Sequence, residues 1–202
     1  MHIYSAEEGN ELVRAARNSI ELYLNTRYFD KKIVKKSLER FKEKYGVFVT
    51  LEHYPTKELR GCIGFPRAVA QVKESVVEAA IAAAFEDPRF VPVSSAELNE
   101  LIIEVSILSE PIQVEGNADK RKKSIKVGRD GLIVEYGLYS GLLLPIVAVE
   151  QEWGKEKFLE ETCIKAGLHA NYWSQQNVKL YRFETQLFKE ETPGGKVVEY
   201  QA

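Results

Sequence analysis

The chain has 202 residues, 45% of them apolar, enough to bury a substantial core as one domain of two lobes spanning residues 1–202. Lys and Arg number 28 against 30 Asp and Glu, so no broad positive field draws it to nucleic acid or anionic lipid, and nucleic acid is not an expected partner. No apolar run is long enough to span a bilayer and the first twenty residues lack a basic leader, so the expectation is a cytoplasmic protein with both cysteines, Cys62 and Cys163, as thiols.

Ser5 followed by Glu8 has the spacing of a capping box. Leu12, Val13, Ala16, Ile20, Tyr23 and Leu24 then recur at helical spacing. Asp30 is placed to cap a second, Lys-rich helix with Ile33, Val34, Leu38 and Phe41 on its apolar face, which Gly46 closes. Its lysines read as a solvated surface.

Val47 to Leu51 is a strand pattern, and after the Pro55 turn a second strand begins at Leu59 and carries Cys62. Val72 to Phe85 is Ala-rich and apolar on most sides, the pattern of a buried helix, with Pro88 helping to end it. Leu101 to Leu108 alternates as a strand. Leu101, Ile103, Val105 and Ile107 share one side, and Glu104 shares the other with Ile102, Ser106 and Leu108. The segment 115–126 holds a short helix or a loop. Leu132 to Tyr136 and Gly141 to Leu144 read as a hairpin around Gly137. Glu152 to Ala166 reads as a helix stopped by Gly167, with Cys163 in its core face. Val178 to Phe188 is a last strand, and a turn at Thr192 to Gly195 leads into a loose tail. The sum is an α+β fold: a mostly antiparallel sheet flanked by helices.

Chemistry concentrates at Leu59-Arg60-Gly61-Cys62-Ile63-Gly64. Glycines permit close backbone approach, exposed amides can cradle an anion or oxyanion, and a neighbouring Arg favours thiolate. The alternative is a small buried thiol whose glycines only let two elements pack. His53 is the nearest candidate base. Asp87 and Arg89, in Asp87-Pro88-Arg89-Phe90, are placed either to orient a substrate group or to hold a local ion pair. Glu104 is an acid or base if burial raises its pKa, or else a structural carboxylate with a partner such as Arg. Neither zinc-type spacing nor a nucleotide-binding glycine motif is present, so no metal and no cofactor is expected.

The string LRGCIG resembles the signature of the AMMECR family, and other pieces agree in order: DPRF at 87–90, EVSIL at 104–108, GLLLP at 141–145 and KAGL at 165–168. Ile146 departs from the glutamine expected after GLLLP. The resemblance implies two lobes with LRGCIG facing a cleft between them. It also implies a pathway shared with Memo-type and radical-SAM proteins, and it brings no reaction with it.

Three functions fit these residues. One is an enzyme with Cys62 as nucleophile or redox thiol, Arg60 stabilising its thiolate and Glu104 or Asp87 handling protons. Another is a non-catalytic module in which Gly61, Cys62 and Gly64 present backbone amides to a small anion or a partner's chain terminus, with Arg60, Asp87 and Arg89 at the site. The last is an adaptor whose groove takes a protein partner.

Overall fold

The computed structural model describes residues 2–26, 34 and 36–200. The chain divides into two compact units: a larger one of His2–Leu108 with Gln186–Gln201, and a smaller one of Ser109–Thr185.

The larger unit opens with α1, Ala6–Thr26, started by the foreseen capping box: Glu8 accepts from the Ser5 N–H at 2.8 Å, and the Ser5 hydroxyl accepts from the Glu8 N–H at 3.2 Å. Leu12, Val13, Ala16 and Ile20 are buried along one stripe, as their spacing requires. Of the second helix, Asp30, Ile33 and Lys35 fall outside the described residues, whereas Val34, Leu38 and Phe41 are buried in the core.

Strands β1 (Gly46–His53) and β2 (Leu59–Phe65), helices α2 (Val72–Phe85) and α3 (Ser95–Leu98), and strand β3 (Leu101–Leu108) follow. Strand β7, Lys179–Glu190, ends in this unit and pairs antiparallel with β8, Val197–Tyr200. The strand order is β2-β1-β3-β7, with β8 also on β7, so β2 lies at an edge. One face carries Val47, Val49 and Leu51 of β1 with Leu101, Ile103, Val105 and Ile107 of β3, all fully buried in one cluster with the apolar residues of α1 and α2. The expected tail is thus a strand. Beyond Gly194 the backbone turns back, and β8 supplies the partner that the end of β7 requires.

A charge sits inside this core. Arg17 of α1, 6% exposed, donates from Nε and Nη2 to Glu190 of β7 at 2.8 and 2.5 Å, and to the carbonyls of Leu98 and Leu101. Glu190 also accepts from the Ile103 N–H at 3.0 Å. One ion pair therefore ties α1, the end of α3, β3 and β7 together while satisfying backbone groups that burial would orphan.

The smaller unit contains β4 (Ile112–Gln113), α4 (Ala118–Ser124), β5 (Asp130–Tyr136), β6 (Tyr139–Leu143), α5 (Pro145–Glu150), α6 (Lys155–Lys165), a 3-10 turn at Ala170–Ser174 and the first part of β7. Its strand order is β7-β5-β6, with β4 also on β7. Within the segment 115–126 the short helix Ala118–Ser124 forms, capped by the Asn117 side chain. The helix expected from Glu152 begins instead at Lys155: Glu152 has a φ of 54° and Trp153 sits in the link. The preceding helix α5 uses Pro145 in its first turn. Cys163 is fully buried, and burial pushes its thiol up to about 11. No helix among the described residues is long and apolar enough to cross a membrane.

Replacing Arg17 with Ala strands a buried carboxylate, and the expected loss is about 3–5 kcal/mol. The measurement is a urea midpoint at unchanged m value. The double variant Arg17→Met with Glu190→Leu should recover much of it, and a loss under about 1 kcal/mol would contradict this role for the pair.

Candidate functional site

Strand β2 follows β1 in antiparallel register, with Leu51 opposite Gly61 and Thr50 opposite Cys62, until a bulge in which Glu52 faces Leu59 and Arg60 is the extra residue. A bulge re-aims one side chain and breaks the alternation. Arg60 and Cys62 therefore go to different partners, although their two-residue spacing in a regular strand would put them side by side.

Gly61 faces the helical side of the sheet. A Cβ there would lie 2.2 Å from the Ala83 carbonyl oxygen of α2, so only glycine lets the helix backbone approach the strand this closely. Gly64 lies on the other face, where a Cβ would lie 2.5 Å from Cγ of Phe48, so the Phe48 ring covers the space that Gly64 leaves. Both glycines are filled by the protein itself.

The close seat of α2 carries its exit turn to the strand edge. Four residues past Ala83, buried Asp87 accepts from the Cys62 N–H at 2.9 Å through Oδ2. It also accepts from the Arg89 N–H, Nε and Nη2 at 3.1, 2.9 and 2.6 Å, and Arg89 Nη2 reaches the Cys62 carbonyl at 3.4 Å. The Asp87–Arg89 pair thus caps the open edge of β2 at Cys62 in place of another strand. The Arg89 hydrogen bonds, followed by the Cys62 N–H, hold the Asp87 carboxyl far below the usual carboxylate range.

Arg60, 5% exposed, donates from Nε and Nη2 to Glu97 and from Nη2 to the Val91 carbonyl at 2.7 Å. Its Nη1 is buried with no hydrogen-bond partner among the described residues. The guanidinium carbons of Arg60 and Arg89 lie 5.6 and 5.3 Å from the Phe90 ring centroid. Each guanidinium is held through its Nε and Nη2 by a carboxylate. His53 lies 3.9 Å from Glu97, so it belongs to the Arg60 cluster.

Cys62 is half-buried, and the Thr50 hydroxyl donates to its Sγ at 3.4 Å. Burial is the largest influence on the thiol and raises it above the ordinary 9.0; the Thr50 hydrogen bond and Arg89 oppose this, while Glu104 and Asp87 add to it. The cation acting on the sulfur is Arg89, the more distant in sequence. Thr50 also stands opposite Glu104 of β3, so Cys62, Thr50 and Glu104 form a cross-strand row. Glu104, 7% exposed, is partnered by Lys189 at 3.4 Å, a lysine where an Arg was the expected type, and Lys189 also holds Glu52 at 2.7 Å.

The site thus joins Cys62 directly to Asp87 and Arg89, and through Thr50 to Glu104, while Arg60 meets them only at Phe90. Sequence reading did not single out Glu97, Thr50 or Lys189. Glu97 had a readable signal, the Ser94-x-x-Glu97 capping box, whose side chain doubles as the Arg60 acceptor. Thr50 and Lys189 had none, because cross-strand neighbours are set by register. Groups of three or more His, Cys, Asp or Glu able to hold a metal ion are absent among the described residues.

An antiparallel sheet with helices on one face, and an edge strand sealed at a cysteine by an Asp–Arg turn, define an α+β protein of a distinct kind. The family model described as AMMECR1 matches residues 13–188. Protein MJ0810 of Methanocaldococcus jannaschii is 50% identical over 98% of both chains, and Protein PF1979 of Pyrococcus furiosus is 48% identical over 98% of this chain and 95% of its own. The crystal structure of the uncharacterised protein PH0010 from Pyrococcus horikoshii superposes with a TM-score of 0.91 at 47% identity, over 97% of this chain and 98% of that one. The chain belongs to the AMMECR1 family.

A carboxylate depressed by folding stabilises the fold fully above its unfolded pKa, ordinarily 3.8 for Asp87, and loses that contribution as pH falls toward the folded value. Asp87→Asn should therefore be less stable at pH 7, by about 1.5–3 kcal/mol, the range for hydrogen bonds to a charged group. The gap to the unmodified protein should narrow as denaturation is repeated below pH 3.8. A gap independent of pH would refute the charge assignment.

Proposed function

We propose that Arg60, Arg89, Phe90 and Cys62 form a non-covalent binding site for a small anionic ligand. The observation that carries this reading is the buried Nη1 of Arg60, a charged donor without a partner among the described residues. An unsatisfied buried donor costs roughly 1–3 kcal/mol, more when charged, and a ligand oxyanion would relieve that cost. Asp87 and Glu97 pre-orient the two guanidiniums through their Nε sides, which lowers the ordering cost of binding. Arg89, with a side chain 45% exposed, supplies the solvent-facing donor. Cys62 contributes a neutral thiol, consistent with its raised pKa, and the backbone around Gly61 and Gly64 shapes the strand beneath the ligand.

The probes are inorganic phosphate and succinate, followed by amide shifts in NMR. Binding should perturb Cys62, Arg89 and Phe90, and Arg89→Ala should weaken it roughly tenfold or more, as loss of a charged hydrogen bond implies. Unperturbed amides with both probes, or full affinity in the variant, would overturn the reading.

A second reading, thiol chemistry at Cys62 with Glu104 taking the proton, draws on the cross-strand row through Thr50. With the thiol raised by burial, iodoacetamide should label Cys62 more slowly than a free cysteine at pH 7, with an inflection above 9.0. An inflection well below that value would make the catalytic reading the better one.

A further inference from the structure

The KAGL segment of the smaller unit takes no part in the site above. Helix α6 stops at Lys165, and Gly167, with a φ of 76°, turns the chain in the left-handed region while the Leu168 N–H returns to the Cys163 carbonyl at 3.0 Å. The turn lays Gly167 against the hairpin, where a Cβ would come 3.7 Å from the Tyr139 ring. Between hairpin and turn opens a hollow of about 330 Å³, lined by Tyr136, Tyr139, Gly167, Leu168, His169 and Tyr172. That is the lower end of small-molecule pockets, roughly 300–1,000 Å³.

The hollow is walled by aromatic rings, and among the described residues no Asp, Glu, Lys or Arg lines it. Tyr136 and Tyr172 pair across the β5/β6 side and the 3-10 turn with centroids 5.5 Å apart and planes at 85°, and His169 lies 5.8 Å from Tyr172 at 40°. Tyr139, opposite Tyr136 in the hairpin, remains 55% exposed. A flat ring would need two near-parallel walls to slide between, which perpendicular rings do not offer. In this edge-to-face pair one ring's edge covers one face of the other, and the ring faces left over to the hollow favour a compact, weakly hydrated cation. A lysine or arginine head would seek a carboxylate, and none lines the hollow among the described residues.

The geometry points to a second binding site, selective for a quaternary ammonium group. Such a group arrives either on a free small molecule such as choline or on a trimethylated lysine side chain. The Tyr136, Tyr139 and Tyr172 faces provide the attraction, and Leu168 the apolar contact.

The test uses the full chain, titrated with choline chloride against equal ionic strength of sodium chloride, and with choline's uncharged isostere 3,3-dimethylbutan-1-ol. Amide shifts at Gly167, Leu168 and Tyr172 should report the cation at least fivefold tighter than the alcohol. Tyr139→Phe should keep this preference and Tyr139→Ala should lose it. Because the Tyr139 side chain is exposed, its Ala variant should keep its melting temperature, and Tyr172→Ala gives an independent second loss. Choline and a short trimethyllysine peptide, compared in parallel, separate the two sources by which binds tighter. Equal binding of cation and alcohol, or an unchanged preference in both Ala variants, would overturn the proposal.

Discussion

The candidate site depends on the contact between Gly61 and the carbonyl oxygen of Ala83. Because no Cβ stands between them, helix α2 settles onto the edge strand, and the turn that leaves it delivers Asp87 to the Cys62 amide. Even a lone Cβ at that strand position would push the helix outward until the 2.2 Å separation opened to the 3.4 Å of an ordinary contact. The carboxylate would then miss the edge it caps. Cys62, Asp87 and Arg89 form one local structure built on that approach, and the two glycines serve it from opposite faces of the sheet.

The electrostatics of the site follow from how its cations are engaged. Arg60 and Arg89 each answer a carboxylate, Glu97 and Asp87, and of the two it is Arg89 that acts on the sulfur. Burial, with Glu104 and Asp87 nearby, then outweighs the Thr50 hydrogen bond and Arg89, and the thiol's pKa is pushed above its ordinary value. A cysteine between glycines with an arginine two residues away looks like an activated nucleophile on paper. In three dimensions the bulge at Arg60 sends that arginine to Glu97, and Arg89 takes its place as the cation beside the sulfur.

Buried charge elsewhere follows the same logic. Arg17 and Glu190 satisfy backbone carbonyls and an amide as well as each other. In the smaller unit, buried Arg121 lays its guanidinium on the carbonyls of Trp173, Gln175 and Val178. Both arginines act as substitutes for secondary structure, satisfying backbone where the chain leaves regular helix or strand.

The sequence by itself determined the elements whose signals are local. The Ser5–Glu8 box, the stripe from Leu12 to Ile20, the Ala-rich run of Val72 to Phe85, the alternation of Leu101 to Leu108 and the hairpin at Gly137 are each written within a few turns or one pleat of chain. It also marked Cys62, Asp87, Arg89 and Glu104, because their neighbours are unusual for their positions. Two local readings went astray: α6 begins three residues later than its periodicity suggests, and the tail after Gly195 is a strand because β7 offers it an edge. Only tertiary structure decided who meets whom. Register placed Thr50 between Cys62 and Glu104, Lys189 came to Glu104 from 85 residues away in the chain, and the bulge gave Arg60 to Glu97. Such pairings depend on strand order and on the summed packing of the whole unit, and neither leaves a trace in the residues immediately beside the ones that pair.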